Sequence, residues 1–272
     1  MEKVLDKLPW RRLHEHPDIK DQIEAATAIT AMDLATTECK GDSLRNVVRG
    51  LMYMVSGKTS GSDALRLLAQ GRAARALAWL CFLDDIPRIF FEGPAQGNSE
   101  YLLTLSRLIV ETHDRAVLIE LLALIGWLAN ASDDYAQLLG GETDMVRAIA
   151  DHLAARSSAI QRKAAWALAC LSRGKNKMRI LSGDNHERVT RNLTAILRSN
   201  DIESGTMAAR CAGALGNGNR ANAAIMSRHA GGKASPLFLA LKSCAQSKNT
   251  ALQTEAAWAE GILLRSITED YD

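Results

Sequence analysis

Four of the five tryptophans, Trp79, Trp127, Trp166 and Trp258, lie in Ala- and Leu-rich stretches, and the chemistry they suggest is recognition. Each ring offers a large flat apolar area and loses little rotamer freedom when it is covered, which is what anchoring a protein segment requires. A tryptophan in such a stretch also packs readily between helices, so a single one decides nothing; the joint placement of four favours a binding face. Arg162 stands four residues before Trp166, one helical turn, so the pair is placed to hold an acidic or aromatic side chain by charge and stacking. Asn217 adds an amide near the end of a similar stretch. Between Arg156 and Arg198 ten basic residues stand against two acids, Asp184 and Glu187, in a chain whose net charge is only +2. This basic middle either steers an acidic or phosphate-bearing partner or is a solvated face spread over two structural units.

Nothing in the chain assembles a catalytic constellation. His14-Glu15-His16 supplies two histidines and no third ligand at metal spacing, and His113, His152, His186 and His229 are isolated. Gly213, Gly216 and Gly218 lie at the end of a helical stretch and match no phosphate-loop pattern. The five cysteines, Cys39, Cys81, Cys170, Cys211 and Cys244, are dispersed with no C-x-x-C pair, which predicts free thiols in a reducing compartment. The expectation is a non-enzyme with no catalytic residue, no metal, no cofactor and no small-molecule substrate.

The elements that carry these residues read as helices. Only five prolines and 5% aromatics, with abundant Ala and Leu, favour helix over strand. Ser132-Asp133-Asp134 caps a short helix to Leu139, which Gly140-Gly141 is expected to stop through left-handed geometry. Thr143 or Asp144 then caps a helix whose apolar positions 145, 146, 149, 150 and 153 follow the 3.6-residue period. Ser157-Ser158 opens a long third helix through Leu171. The same order recurs as 222–230, a Gly231-Gly232 break, 237–244 after Ser235-Pro236, and 251–266; between these copies come 175–181, 187–197 and a third helix from Ser204 or Gly205. Upstream, 86–91 and 99–110 flank a loop at 93–98, and 114–130 follows.

The third helices repeat at a fixed interval. Ala164, Cys211 and Ala256 occupy equivalent places 47 and 45 residues apart; Leu128 precedes Leu171 by 43, and Trp79 precedes Trp127 by 48. In this frame Trp79 and Trp127 share the position of Cys170 and Asn217, while Trp166 and Trp258 stand one turn earlier. Five copies of 43–48 residues point to stacked helical repeats, each unable to bury its apolar face alone. Residues 42–267 form the repeat array, residues 1–41 an N-terminal helical cap built on one amphipathic helix from Asp18 to Cys39, and residues 268–272 an acidic tail.

Three-helix units of this length carrying Lys163-Ala164-Ala165-Trp166-Ala167-Leu168-Ala169-Cys170-Leu171 and Cys211-Ala212-Gly213-Ala214-Leu215-Gly216-Asn217 resemble armadillo repeats over about four fifths of the chain. HEAT repeats, with two helices per unit, are the structural alternative. The resemblance implies an all-α, right-handed superhelical solenoid whose third helices line a concave groove for an extended peptide. It does not extend to the importin alpha adaptors, whose groove carries a Trp followed four residues later by an Asn. Here Trp166 is followed by Cys170, Trp258 by Ile262, and Asn217 is preceded by Gly213. A nuclear-import receptor is therefore not expected.

The sequence thus predicts a scaffold or adaptor holding a protein or peptide segment, acidic by the charge argument, through Trp79, Trp127, Arg162, Trp166, Asn217 and Trp258. The alternatives are a structural subunit of a large assembly, a chaperone cofactor, or a nucleic-acid binder using residues 156–198, the last disfavoured by the low total charge. The N-terminal stretch lacks the apolar core of a secretory signal, and the most apolar run, 116–131, is 16 residues long and contains Glu120. A soluble cytoplasmic protein is expected, with no membrane partner and with the nucleus as the second location.

Overall fold

The computed structural model describes residues 18–31, 42–83, 85–92, 98–227 and 234–268. The expectations for His14-Glu15-His16, for most of the 93–98 loop, for Gly231-Gly232 and for the acidic tail beyond Thr268 lie outside these residues. Among the described residues there are fifteen helices and no strand. They fall into two compact units, divided between Ala131 and Ser132.

The first unit contains α1 (Ile19–Thr30), α2 (Asp42–Val55), α3 (Asp63–Leu80), α4 (Asp85–Glu92), α5 (Asn98–Glu111) and α6 (Arg115–Ala131). In α2 the apolar residues Leu44, Val47, Val48, Leu51, Met54 and Val55 keep the helical period, and all are buried. Gly57, at φ +73°, turns the chain after α2 where an L side chain would be strained and would meet the Gln70 amide. That amide donates to the Val55 carbonyl at 3.1 Å, so the turn is tied to α3. The third helices α3 and α6 pack side by side, and α1 packs along α3. Asp114 starts α6 by accepting from the Val117 amide at 2.8 Å.

The second unit contains three helix triplets: α7 (Asp133–Gly141), α8 (Thr143–His152) and α9 (Ser158–Leu171); α10 (Asn176–Ile180), α11 (Asn185–Leu197) and α12 (Ile202–Gly216); α13 (Arg220–Ser227), α14 (Pro236–Cys244) and α15 (Thr250–Thr268). Here α9 packs on α12 and α12 on α15. The seam is made of alanines: Ala164, Ala165, Ala167, Ala208, Ala209, Ala212, Ala256 and Ala259 are fully buried, which lets neighbouring backbones approach closely. The first helices are joined by buried amides. Asn176 donates to the Ala136 carbonyl at 2.6 Å, and Asn222 donates to the carbonyls of Lys177 at 2.9 Å and Leu215 at 3.1 Å. The bonds to Ala136 and Lys177 span about one repeat, the bond to Leu215 is local, and together they satisfy groups that would be costly to bury unpaired.

Several boundaries follow the sequence expectations. Ser132, Ser157 and Ser235 cap α7, α9 and α14, with Pro236 in the first turn of α14. Others differ for identifiable reasons. Gly140 and Gly141 belong to the last turn of α7 and have no left-handed φ. Gly140 is needed because a methyl there would overlap the Asn176 side chain, the group that joins α7 to α10. The cap position of α8 is Glu142, and neither Thr143 nor Asp144 fills it. The third helix of the middle triplet starts at Ile202, because Asp201 accepts from the Ser204 amide at 2.8 Å and nucleates the helix ahead of Ser204 and Gly205. Helix α1 ends at Thr30, short of Cys39, its last turn carrying the Thr30 hydroxyl bonded back to the Thr27 carbonyl.

Candidate functional site

In the first unit the third helices gather an aromatic cluster. Trp79 lies in the last turn of α3, and Phe82 follows in the turn beyond it. Trp127 lies near the end of α6. The Phe82 ring sits 5.6 Å from Trp79 edge-on and 4.4 Å from Trp127, so it bridges two tryptophans 48 residues apart. Both distances are those of favourable aromatic pairs, yet Trp79 is 40% and Phe82 53% exposed. One turn before Trp79, Arg75 Nε and NH2 lie 2.9 and 2.8 Å from Glu120 Oε1 across α3 and α6. The charge beside the rings is therefore balanced within the protein.

The tryptophans of the second unit meet different neighbours. Lys163 Nζ stands 5.7 Å from the Trp166 ring centre, a cation–π arrangement along α9. Trp258 lies against Gly213 of α12, where a Cβ would overlap the indole. Arg162 pairs with Glu203 on α12, and Arg210 pairs with Glu255 on α15. Arg162 thus does not offer the uncommitted charge expected beside Trp166: the next third helix supplies its carboxylate, and Lys163 is the cation at the ring. Asn217 is the C-cap of α12, with extended backbone, an exposed side chain and a carbonyl that accepts from Lys177 Nζ. It stands just past the last residue of α12, at the frame position shared with Trp79 and Trp127. Glu255 of the pair is shielded, and the charge-assisted bond holds the Arg210 guanidinium above its ordinary range.

Across both units one device recurs: Arg75–Glu120, Arg162–Glu203 and Arg210–Glu255 each join one third helix to the next. Sequence reasoning missed this ladder and missed Phe82. The signal for the ladder was present as an Arg and a Glu separated by 45, 41 and 45 residues, close to the repeat length. Phe82 sits outside the helix, and its role depends on where the turn aims it.

The basic middle is also redistributed by the fold. Arg162, Arg173 and Arg188 are paired with Glu203, Asp133 and Asp151, the first two lying outside the 156–198 window along with the third. Burial pushes the Cys170 thiol up to about 11, and burial raises Cys81, Cys211 and Cys244 as well, so these four cysteines are free but weakly ionised. Among the described residues no group of three His, Cys, Asp or Glu could hold a metal ion, and no helix is long and apolar enough to cross a membrane.

No family model matches the chain, and no curated protein matches its sequence. Solved structures do. An engineered protein has a TM-score of 0.73 at 21% identity, covering 96% of this chain and 97% of its own. A designed armadillo repeat protein has a TM-score of 0.71 at 17% identity over 94% and 100% of the two chains. A designed armadillo repeat protein in complex with the peptide (KR)4 has a TM-score of 0.70 at 16% identity over 94% and 99%. At these identities the likeness is one of fold, and the fold is the all-α armadillo repeat.

Proposed function

We propose that the chain is a non-enzymatic scaffold that binds an extended protein segment on its third helices. The observation that carries this reading is the Trp79–Phe82–Trp127 cluster, in which Phe82 touches both tryptophans while much of the area of Trp79 and Phe82 faces solvent. Rings ordered in this way bind without further loss of side-chain freedom. The neighbouring Arg75–Glu120 pair cancels local charge, so the segment that matches this surface inserts a large apolar side chain between flanking polar residues. The likeness to a designed armadillo protein that holds a peptide supports the same mode of use. In the second unit Trp166 and Trp258, flanked by paired charges, provide further contact area on third helices, and the location we assign to the protein is the cytoplasm.

Selection of random displayed peptides on the intact protein tests the proposal. Enriched peptides should share an aromatic or aliphatic anchor, and Trp79→Ala with Phe82→Ala should weaken them at least tenfold, the loss typical of a central aromatic contact. Peptides that bind the double variant as well as the parent protein would remove the third helices from the site.

A further inference from the structure

A concave feature lies within residues 140–191, and no third helix contributes to it. It is a cleft of about 730 Å³ bordered by the end of α7, by α8, by α10 and by the start of α11. Four guanidinium groups line it, Arg147, Arg179, Arg188 and Arg191, together with two carboxylates, Asp184 and Glu187. Arg188 is largely committed: it pairs with Asp151 and donates to Asn185 Oδ1 at 2.6 Å, leaving only a buried Nε without a partner. The other three are not. Arg147 approaches Asp144 only at 3.9 Å, Arg179 approaches the Gly140 carbonyl at 3.5 Å, and Arg191 makes no ion pair or side-chain hydrogen bond among the described residues. Neither carboxylate of the cleft forms an ion pair with any of them.

Each guanidinium carries five donors in a planar fork, and several forks facing one cleft repel one another until an anion with several acceptor oxygens lies between them. Elsewhere in the basic stretch, Arg162 and Arg173 have carboxylate partners. The cleft is where uncommitted guanidinium groups converge.

We propose that this cleft binds a phosphomonoester dianion, with Arg179 and Arg191 as its main ligands and Arg147 at the rim. The volume exceeds what a phosphoryl group occupies, so the organic part of the ester is accommodated as well. A nucleic-acid strand is a poorer match, because it needs cations that track a backbone of diesters, and here the neighbouring arginines are already paired. The site is independent of the aromatic cluster and does not rest on the scaffold reading.

Calorimetric titration of the full chain with phenyl phosphate at constant ionic strength tests it. Saturable binding is expected, weakened about tenfold or more by Arg179→Ala with Arg191→Ala. Arg198→Ala, just past the end of α11 and outside this cleft, should change affinity less than about twofold. Arg179 and Arg191 are exposed, so the double variant should retain its helicity, checked by circular dichroism. A neutral peptide carrying one phosphoserine then identifies the source: tighter binding than phenyl phosphate assigns a phosphorylated partner, and equal binding assigns a free phosphate ester. No saturation by about 10 mM, an equal loss in Arg198→Ala, or stronger binding of a single-stranded oligonucleotide at equal phosphate would overturn the assignment.

Discussion

The two units use the same residue type on their third helices to different ends. In residues 18–131 two tryptophans from neighbouring third helices are joined through Phe82 into a cluster that remains half open to solvent. In residues 132–268 the indoles have other neighbours: Trp166 is met by Lys163 of its own helix, and Trp258 is seated on Gly213 of the neighbouring one. What lies opposite the indole decides its role. A third aromatic ring joins two indoles into one cluster, whereas a glycine seats a single indole on the next helix; Trp79 at 40% and Trp258 at 39% stay equally exposed.

The contrast can be broken most strongly at Gly213. An alanine there should collide with Trp258 and cost about 1–3 kcal/mol, because overpacking forces a ring or a helix to shift. In a Trp258→Ala background the same substitution should cost only a few tenths of a kcal/mol in urea melts, because the ring it meets is gone. An unchanged cost in that background would mean that the seating of Trp258 has no part in it.

The starts of the third helices differ too. Asp201 caps α12 through the Ser204 amide, whereas Ser62, at the corresponding position of α3, makes no side-chain cap bond. Asp201→Ala should therefore cost about 1 kcal/mol and Ser62→Ala only a few tenths. The Ser204 amide, with further help from serine hydroxyls and Arg162, holds the Asp201 carboxyl below its ordinary range. The ionised form is thus favoured by folding. Its contribution is complete above the unfolded value near pH 4 and fades as pH falls through the lowered folded value. Asp201→Asn should flatten that acid limb, measured by thermal melts at successive pH values.

Phe82→Ala sharpens the comparison from the other side. Removing an exposed ring that touches two tryptophans should cost about 0.5–1.5 kcal/mol of stability, while the fluorescence of Trp79 and Trp127 shifts toward that of solvated indole. A stability loss of several kcal/mol would make the cluster a core element instead. The smallest effect is expected from the Arg–Glu ladder. Double-mutant cycles at Arg75–Glu120 and Arg210–Glu255 should each give about 0.2–1 kcal/mol, reduced in 1 M salt, since the arginines are 54% and 46% exposed. Equal couplings in the two units would show that the ladder is shared even though the aromatic chemistry is not.

Much of this fold could be read without coordinates. The 43–48 residue period, the alanine pairs before Trp166 and Trp258 and the serines that start α7, α9 and α14 all report local or periodic constraints that a single chain displays. The misreadings came from contacts made at a distance of one repeat. Gly140-Gly141 looks like a helix stop, but its first glycine is there for an amide 36 residues later in the chain. Arg162 looks available until Glu203, 41 residues later, is placed beside it.

By itself the sequence determined that the chain is helical and that its helices come as repeats, because helix period and repeat length are written along the chain. Only the tertiary structure decided which tryptophans stand open, which charges are already paired and where arginines are left to converge. Those outcomes depend on what a neighbouring repeat brings within a few ångströms, and a difference of a single turn in where a side chain leaves its helix changes the partner it meets.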